Sequence, residues 1–562
     1  QSGVGEYAGN IFWVLAYALL SSWLVAVVFT PYLGFRLLPE IRAGHRHTES
    51  ELYQTPLYRR LRALITACVV RRRRVVAATV GLLALSIAGM AGPVQKQFFP
   101  SSDRTEVLVS VFLPQGSAIA ATDAVTRRLE AILAGMPEVK TLSAYVGAGA
   151  PRFFISANPE LPDPAFAKII AVAHDVAARD RVMAELRRHI DAGEFPEARV
   201  RVAQLLYGPP VVWPLSFRIL GPDPAELRRI GHAVRAVMAA NPYAVDPHLE
   251  WDERAPVLHL AMDTERLQRM GLTPREVAEQ LQFLLDGVPV AEVRQDIRAV
   301  QVRARGRRDV TPEELAGLEI KTRDGRKVPV AHLGRIETVY EDAVIKRYNR
   351  EPFLAVNADV HGAQPPDVTD AVWRAMAQLR ATLPEGYRID IGGTVEQSAK
   401  ADASIQKLQP VMVGLMLIFV MLQMRTFSGT FMVIATAPLG LIGATVALLL
   451  FGQPFGFVAL LGLIGLAGIL MRNTLILTQQ VADNLRDGMA TQTAVVEAAV
   501  RRARPVMLTA VAAAFAFVPL TFDGFWGPLA YVLIGGVLAG TAITLLFVPA
   551  LYAVWFGLGD EA

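Results

Sequence analysis

Cysteine is almost absent. Cys68 is the only one in 562 residues, so no internal disulfide forms and no redox compartment can be read from bridges. Metal-ligand frameworks are missing as well: His45 and His47 have no cysteine or carboxylate at ligand spacing, so no metal site is read there. There is no G-x-S-x-G elbow, P-loop or H-E-x-x-H pattern, which turns the reading away from an enzyme. Charge is also in short supply. At 19% charged and 52% hydrophobic, the chain is too apolar for an ordinary soluble enzyme and too charged for a purely lipid-embedded one, so wet and apolar segments must be segregated. Most telling is the distribution of acids: no Asp or Glu lies inside any long apolar run, the nearest being Asp523 at a segment end.

Those runs are Ile11 to Phe35, Val75 to Val94, Leu408 to Met424, Phe431 to Phe451, Phe457 to Val481, Val506 to Phe522 and Leu529 to Phe556. Each approaches the roughly 20 residues that cross a bilayer as a helix, which predicts seven spans. Arg36, Arg42, Arg46, Arg59, Arg60, Arg62 and Arg71 to Arg74 crowd the linker between the first two spans and place it in the cytoplasm. Alternation then sends the stretch from Gln95 to Lys407 outside. It returns Asp483 to Pro505 inside, where Arg486, Arg501, Arg502 and Arg504 agree. The net charge of +4 is small and its basic residues are topology signals, so no nucleic-acid partner is read. The chain opens on Gln1 with no leader pattern before the first run, and the natural protein is expected to continue upstream. Leu57, Leu61, Leu64 and Ile65 against Arg59, Arg60 and Arg62 predict an amphipathic helix along the inner surface.

One residue breaks the apolar pattern. Arg472 lies within the fifth run, and a cation at that depth needs a carboxylate that no other run supplies. The acid is therefore expected from polypeptide outside this chain. Gly462, Gly465 and Gly468 on the same helix, and Gly536 and Gly540 in the last span, are read as close helix-packing positions.

The outer stretch alternates strand and helix periods. Val107 to Leu113, Ala118 to Gly135 and Thr141 to Val146 form one strand-helix-strand unit, and copies begin near Lys168, Leu215 and Leu354. Paired units of this kind make ferredoxin-like α+β sandwiches. The expected fold class is a seven-span α-helical membrane bundle with a large α+β portion of such repeats. A strand-rich module, Ala255 to Ile336, interrupts them and is read as a docking domain.

With GLTPREVAEQL from Gly271, LEIKTRDGRKVPVAHLGRI from Leu318, IKRYNREP from Ile345, APLGLIGA from Ala437, RNTLIL from Arg472 and RRARPVMLT from Arg501, the chain resembles the carboxyl-terminal part of a resistance-nodulation-division (RND) efflux transporter. The resemblance points to the hydrophobe and amphiphile branch. It implies residues 1–37 as family span six, 38–74 as a cytoplasmic linker and 75–96 as span seven. It further implies porter subdomains at 97–214 and at 215–254 with 337–400, docking at 255–336, and a five-span bundle at 401–562. It also implies proton-coupled export of hydrophobic small molecules from a Gram-negative inner membrane. The implied partners are membrane lipid, a homotrimeric assembly, a periplasmic adaptor, an outer-membrane channel and a missing amino-terminal half that carries the acidic relay residues. No cofactor is implied.

By the same resemblance Arg472, Asn473, Arg502 and Thr509 occupy proton-relay positions. Arg472 stands where the family has lysine, and since arginine keeps its charge it is a fixed counter-ion. Phe153 and Phe154, in the loop from Tyr145, are the candidate substrate contacts, Ala148 and Ala150 standing where aromatics are usual. Alternatives from other classes are a non-transporting membrane scaffold or sensor, and a superfamily member exporting lipids, proteins or metal ions.

Overall fold

The computed structural model describes residues 3–37, 53, 55–154, 156–208, 210–306 and 310–557. Among the described residues, seven helical segments are long and apolar enough to cross a membrane. Helix Gly527–Trp555 is the hub of the bundle, in contact with helices Pro56–Val70, Arg72–Ala91, Gly440–Leu450, Phe457–Arg486 and Thr491–Phe517. Small residues permit this crowding. A Cβ on Gly443 would strike the carbonyl of Gly535, and one on Gly536 would strike the Leu466 side chain. Gly540 likewise packs on Leu470.

Three features depart from the sequence-based expectation. The run from Phe431 is broken into helices Phe427–Ala435 and Gly440–Leu450 by a short 3-10 turn, Ala437–Leu439, because Pro438 cannot donate to the helical ladder. Most of Asp483 to Pro505 is helical, with only residues 487–490 joining Phe457–Arg486 to Thr491–Phe517. Hydropathy marks only the stretch a helix spends in hydrocarbon, and polar ends continue the same helix. For the same reason Gly393–Met424 begins well before its apolar part. Finally, helix Pro56–Val70 buries Ile65 and Val69 against the bundle and leaves Leu57 and Leu64 exposed, so its packed face is rotated from the predicted one.

The outer portion is built on two sheets. In the first, β1 (Glu106–Phe112), β2 (Val139–Val146), β3 (Phe166–Ala173) and β4 (Arg199–Gln204) run in the order β2-β3-β1-β4, all antiparallel. Alternation puts Val107, Val109, Val111, Ala167, Ile169 and Ala171 on one face, which helices Ile119–Ala134 and Val176–Asp191 cover with Leu129, Leu133, Val182 and Leu186. Asp175 caps the second of these helices by accepting the Ala178 amide at 2.7 Å. In the second sheet, β5 (Leu215–Leu220) lies between β9 (Glu351–Val360) and β10 (Arg388–Ile391), and β6 (Ala244–Leu249) pairs β9. Its core joins Phe217, Ile219, Leu354 and Val356 to Leu227, Ile230 and Val234 of helix Pro224–Ala239.

The strand-rich module leaves the second sheet through an antiparallel ribbon of β7 (Arg254–Met262) and β8 (Gly334–Asp342). It has its own core of Leu267, Leu272, Val277, Ile320, Val330 and Leu333. The outer portion meets the bundle through a ring cluster in which Phe99 stacks on Phe457 at 5.2 Å.

Gly443→Val is expected to lower the thermal unfolding midpoint of the purified complete transporter through an overpacking cost on the order of 1–3 kcal/mol. An unchanged midpoint would contradict the close crossing at Gly443 and Gly535.

Candidate functional site

The four membrane candidates occupy two facing helices but point in different directions. Arg472 is exposed on helix Phe457–Arg486, in line with Ile464, Gly465 and Gly468. A Cβ on Gly465 or Gly468 would meet nothing, whereas Gly462 packs on Leu529. Of the glycines read as one packing line, only Gly462 faces this chain's own bundle. Asn473, one residue on from Arg472, is rotated inward by the helical turn and buried, its Nδ2 donating to Thr541 Oγ1 at 3.5 Å. On helix Thr491–Phe517, Arg502 is half-buried and its Nε donates to Gln480 Oε1 at 2.9 Å. Thr509 is exposed, its hydroxyl donating to the Val506 carbonyl at 2.9 Å.

No hydrogen bond links any two of Arg472, Arg502 and Thr509 among the described residues, and no described carboxylate pairs with Arg472. Pro505, Thr509, Ala512 and Ala516 form an exposed line of short side chains beside it on the neighbouring helix. Both helices thus expose short side chains, interspersed with exposed Ile464, Leu508 and Phe515, and Arg472 adds a permanent cation. On insertion scales a central arginine costs about 2.5–3.5 kcal/mol, and far more on an isolated helix facing lipid.

The outer candidates diverge. The Phe154 ring lies under the Arg104 guanidinium at 4.9 Å, while Phe153 is exposed. Their loop starts from Tyr145, and Tyr145 belongs to a row that crosses the first sheet on the face without helices: Tyr145, Lys168, Ser110, Arg201. Lys168 donates to Ser110 Oγ at 2.9 Å and to Glu160 Oε1 at 2.8 Å. Burial pulls the Lys168 ammonium below the ordinary lysine range, against the opposing pull of Glu160. Arg201 makes a two-pronged pair with Asp359 of the second sheet, 2.7 Å on both arms, and lies 4.0 Å from the Trp213 ring. Arg199 pairs with Asp246 at 2.8 Å, so two salt bridges join the edge strand β4 to the second sheet. Phe112 and Phe166, 5.1 Å apart, complete an aromatic border with Trp213.

Sequence reasoning missed this row. Its signal was a single polar residue inside otherwise apolar strands: Ser110 in EVLVSVF and Lys168 in FAKIIAVA. His45 and His47, set aside as metal ligands, lie outside the described residues. Among those described, no three His, Cys, Asp or Glu residues group around a point.

With this geometry in hand, comparison with known proteins is informative. A family model described as the AcrB/AcrD/AcrF family matches residues 5–555. The nickel and cobalt resistance protein CnrA of Cupriavidus metallidurans is 26% identical over 501 residues, covering 84% of this chain and 46% of its own. The cation efflux system protein CzcA of an Alcaligenes species is 26% identical, with 99% and 54% covered. The multidrug resistance protein MdtC of Yersinia pestis is 22% identical, with 82% and 45% covered. A crystal structure of a heavy metal efflux pump superposes with a TM-score of 0.71 at 23% identity, over 89% of this chain and 52% of that one, a likeness of fold. The chain thus spans about half the length of the relatives it matches.

The Arg201–Asp359 pair is largely shielded, its side chains 16% and 27% exposed, and its coupling is expected to be about 1.5–3 kcal/mol. Arg201→Ala and Asp359→Ala should each lower the unfolding midpoint of the outer portion, and the double variant should lose little more than the worse single one. Additive losses would show that the two sheets are not joined there.

Proposed function

Because the chain belongs to the AcrB/AcrD/AcrF family of transport proteins, we propose that it forms one half of an inner-membrane RND efflux permease driven by proton entry. The observation that carries this reading is Arg472, a fixed cation exposed in an apolar helix on the face of Gly465 and Gly468, with no described carboxylate as its partner. Such a charge requires acids from a second set of helices, packed against Gly465, Gly468 and Thr509. Arginine does not release its proton, so Arg472 is a fixed counter-ion and proton carriage falls to those carboxylates. Arg502 and Thr509 lie on the neighbouring helix beside the same face and complete the polar lining. Asn473 acts from inside, tying the Arg472 helix to helix Gly527–Trp555 through Thr541.

The outer portion is the periplasmic part in this reading, and it works with an adaptor and an outer-membrane channel, as a trimer. Its proposed cargo is an amphiphilic compound, met by Phe153 at the loop tip and by the aromatic and cationic face beneath. The relatives support a second reading, export of divalent metal ions, since their names specify nickel, cobalt and other cations.

In cells stripped of their own pumps, the complete transporter is expected to lower accumulation of amphiphiles. Arg472→Ala should abolish that export and Arg472→Lys retain much of it. Equal export by Arg472→Ala and wild type would overturn the coupling role. Resistance to nickel, cobalt or zinc salts without any effect on amphiphiles would replace the cargo with metal ions.

A further inference from the structure

Three side chains near the inner end of the bundle form a single hydrogen-bonded series. Arg502 Nε donates to Gln480 Oε1 at 2.9 Å, Gln480 Nε2 donates to Asn484 Oδ1 at 3.0 Å, and Asn484 Nδ2 donates to the Ala494 carbonyl at 2.9 Å. The two ends fix its sense. A guanidinium only donates and a backbone carbonyl only accepts, so turning either amide over would set donor against donor or acceptor against acceptor. Gln480 and Asn484 stand about one turn apart on helix Phe457–Arg486, while Ala494 and Arg502 both belong to helix Thr491–Phe517, so the series leaves the second helix and returns to it.

Cohesion does not account for it. The two helices are joined by residues 487–490 and already pack through Leu477, Val481, Val495, Ala498 and Ala499. Asn484 is fully buried between them, where an apolar side chain would hold the helices as well and leave no polar atom to satisfy. What the two amides do is orient Arg502. Its Nε is occupied, and among the described residues no acceptor meets its two terminal nitrogens. Arg502 shares a helix face with Thr509, and Gln480 lies about 12 Å along the axis inward of Arg472. The other charges near Arg502 are paired or of the same sign. Glu497 pairs with Arg62 of helix Pro56–Val70 at 2.6 Å, Asp483 pairs with Arg486 at 3.1 Å, and Arg501 and Arg504 are cations. Helix Gly527–Trp555 has no Asp, Glu, His, Lys or Arg.

We propose that Gln480 and Asn484 are positioning residues for Arg502: they hold its guanidinium by Nε and present its terminal nitrogens, on the inner side of Arg472, to the carboxylates of the helices that complete the transporter. This rests on the relay reading of Arg502 and adds two residues that touch neither proton nor cargo. A fixed cation beside a carboxylate disfavours its protonation, so a loosely held Arg502 leaves those acids easier to protonate and proton uptake saturates at higher pH.

The test uses the complete transporter in proteoliposomes, with proton entry followed by a pH-sensitive dye while ethidium or, separately, zinc ions are supplied as cargo. The rate is recorded against the pH of the proton-loading side. Arg502→Met is expected to raise the half-maximal pH by about one unit and Gln480→Met by about half a unit. Gln480→Glu, which sets a carboxylate on the guanidinium, should raise it as far as Arg502→Met. The double variant Gln480→Met with Asn484→Leu removes both amides together, so it should shift the pH no further than Gln480→Met and keep the unfolding midpoint near wild type. Should Gln480→Met fail to fold through the stranded Asn484 oxygen, the double variant carries the same comparison. An unmoved half-maximal pH in the Gln480→Met and double variants, beside a shift in Arg502→Met, overturns the positioning role and leaves Arg502 in the relay. An unmoved pH in Arg502→Met as well overturns the relay reading of that residue. No proton entry with either cargo overturns proton-driven export together with the positioning role.

Discussion

The positive charge of Arg472, with no carboxylate beside it among the described residues, organises the membrane portion. Arg472 stands on an exposed helix face with Gly465 and Gly468, where an added Cβ would meet no described atom. Close helix packing elsewhere in the bundle follows the usual logic of small residues letting backbones meet, as at Gly443 and Gly535. At Gly465 and Gly468 the same kind of residue has no neighbour. Small side chains and a buried-type charge together describe a surface shaped for other helices. Lipid satisfies neither feature, since it gains nothing from glycine and cannot neutralise a guanidinium at depth.

The outer portion follows a different rule. Its two sheets have separate apolar cores, and what joins them is ionic and aromatic: Arg201 with Asp359, Arg199 with Asp246, and Trp213 between. Breaking a shielded pair such as Arg201–Asp359 is costly, so the seam holds the two sheets in one arrangement. The ring cluster of Phe99, Phe457 and Phe525 connects the base of this portion to the helices.

Much of the fold was legible because it is periodic. All seven apolar runs lie in helical segments, the one from Phe431 divided at Pro438, and strand-helix-strand spacing located the elements of both sheets within a few residues. Helix ends were not legible from hydropathy, as Asp483 to Pro505 and the start of Gly393–Met424 illustrate. Pairing between distant strands also escaped, since alternation in β7 does not say that β8 is its partner. At the site, the sequence placed Arg472 in its helix and left its direction open. It set Asn473 beside Arg472, yet the helical turn sends that side chain to Thr541 instead. Lys168 and Arg201 gain their meaning from Glu160 and Asp359, and a contact between residues as far apart as Arg201 and Asp359 has no local signature.

The central claim is that Arg472 is half of an ion pair completed by helices outside this chain. The most direct measurement is the separation between its guanidinium and the nearest carboxylate in an experimental structure of the complete transporter. The account predicts contact within about 4 Å, on the face shared with Gly468 and Thr509. A guanidinium directed into lipid or bulk water, with no carboxylate at that level, would contradict it.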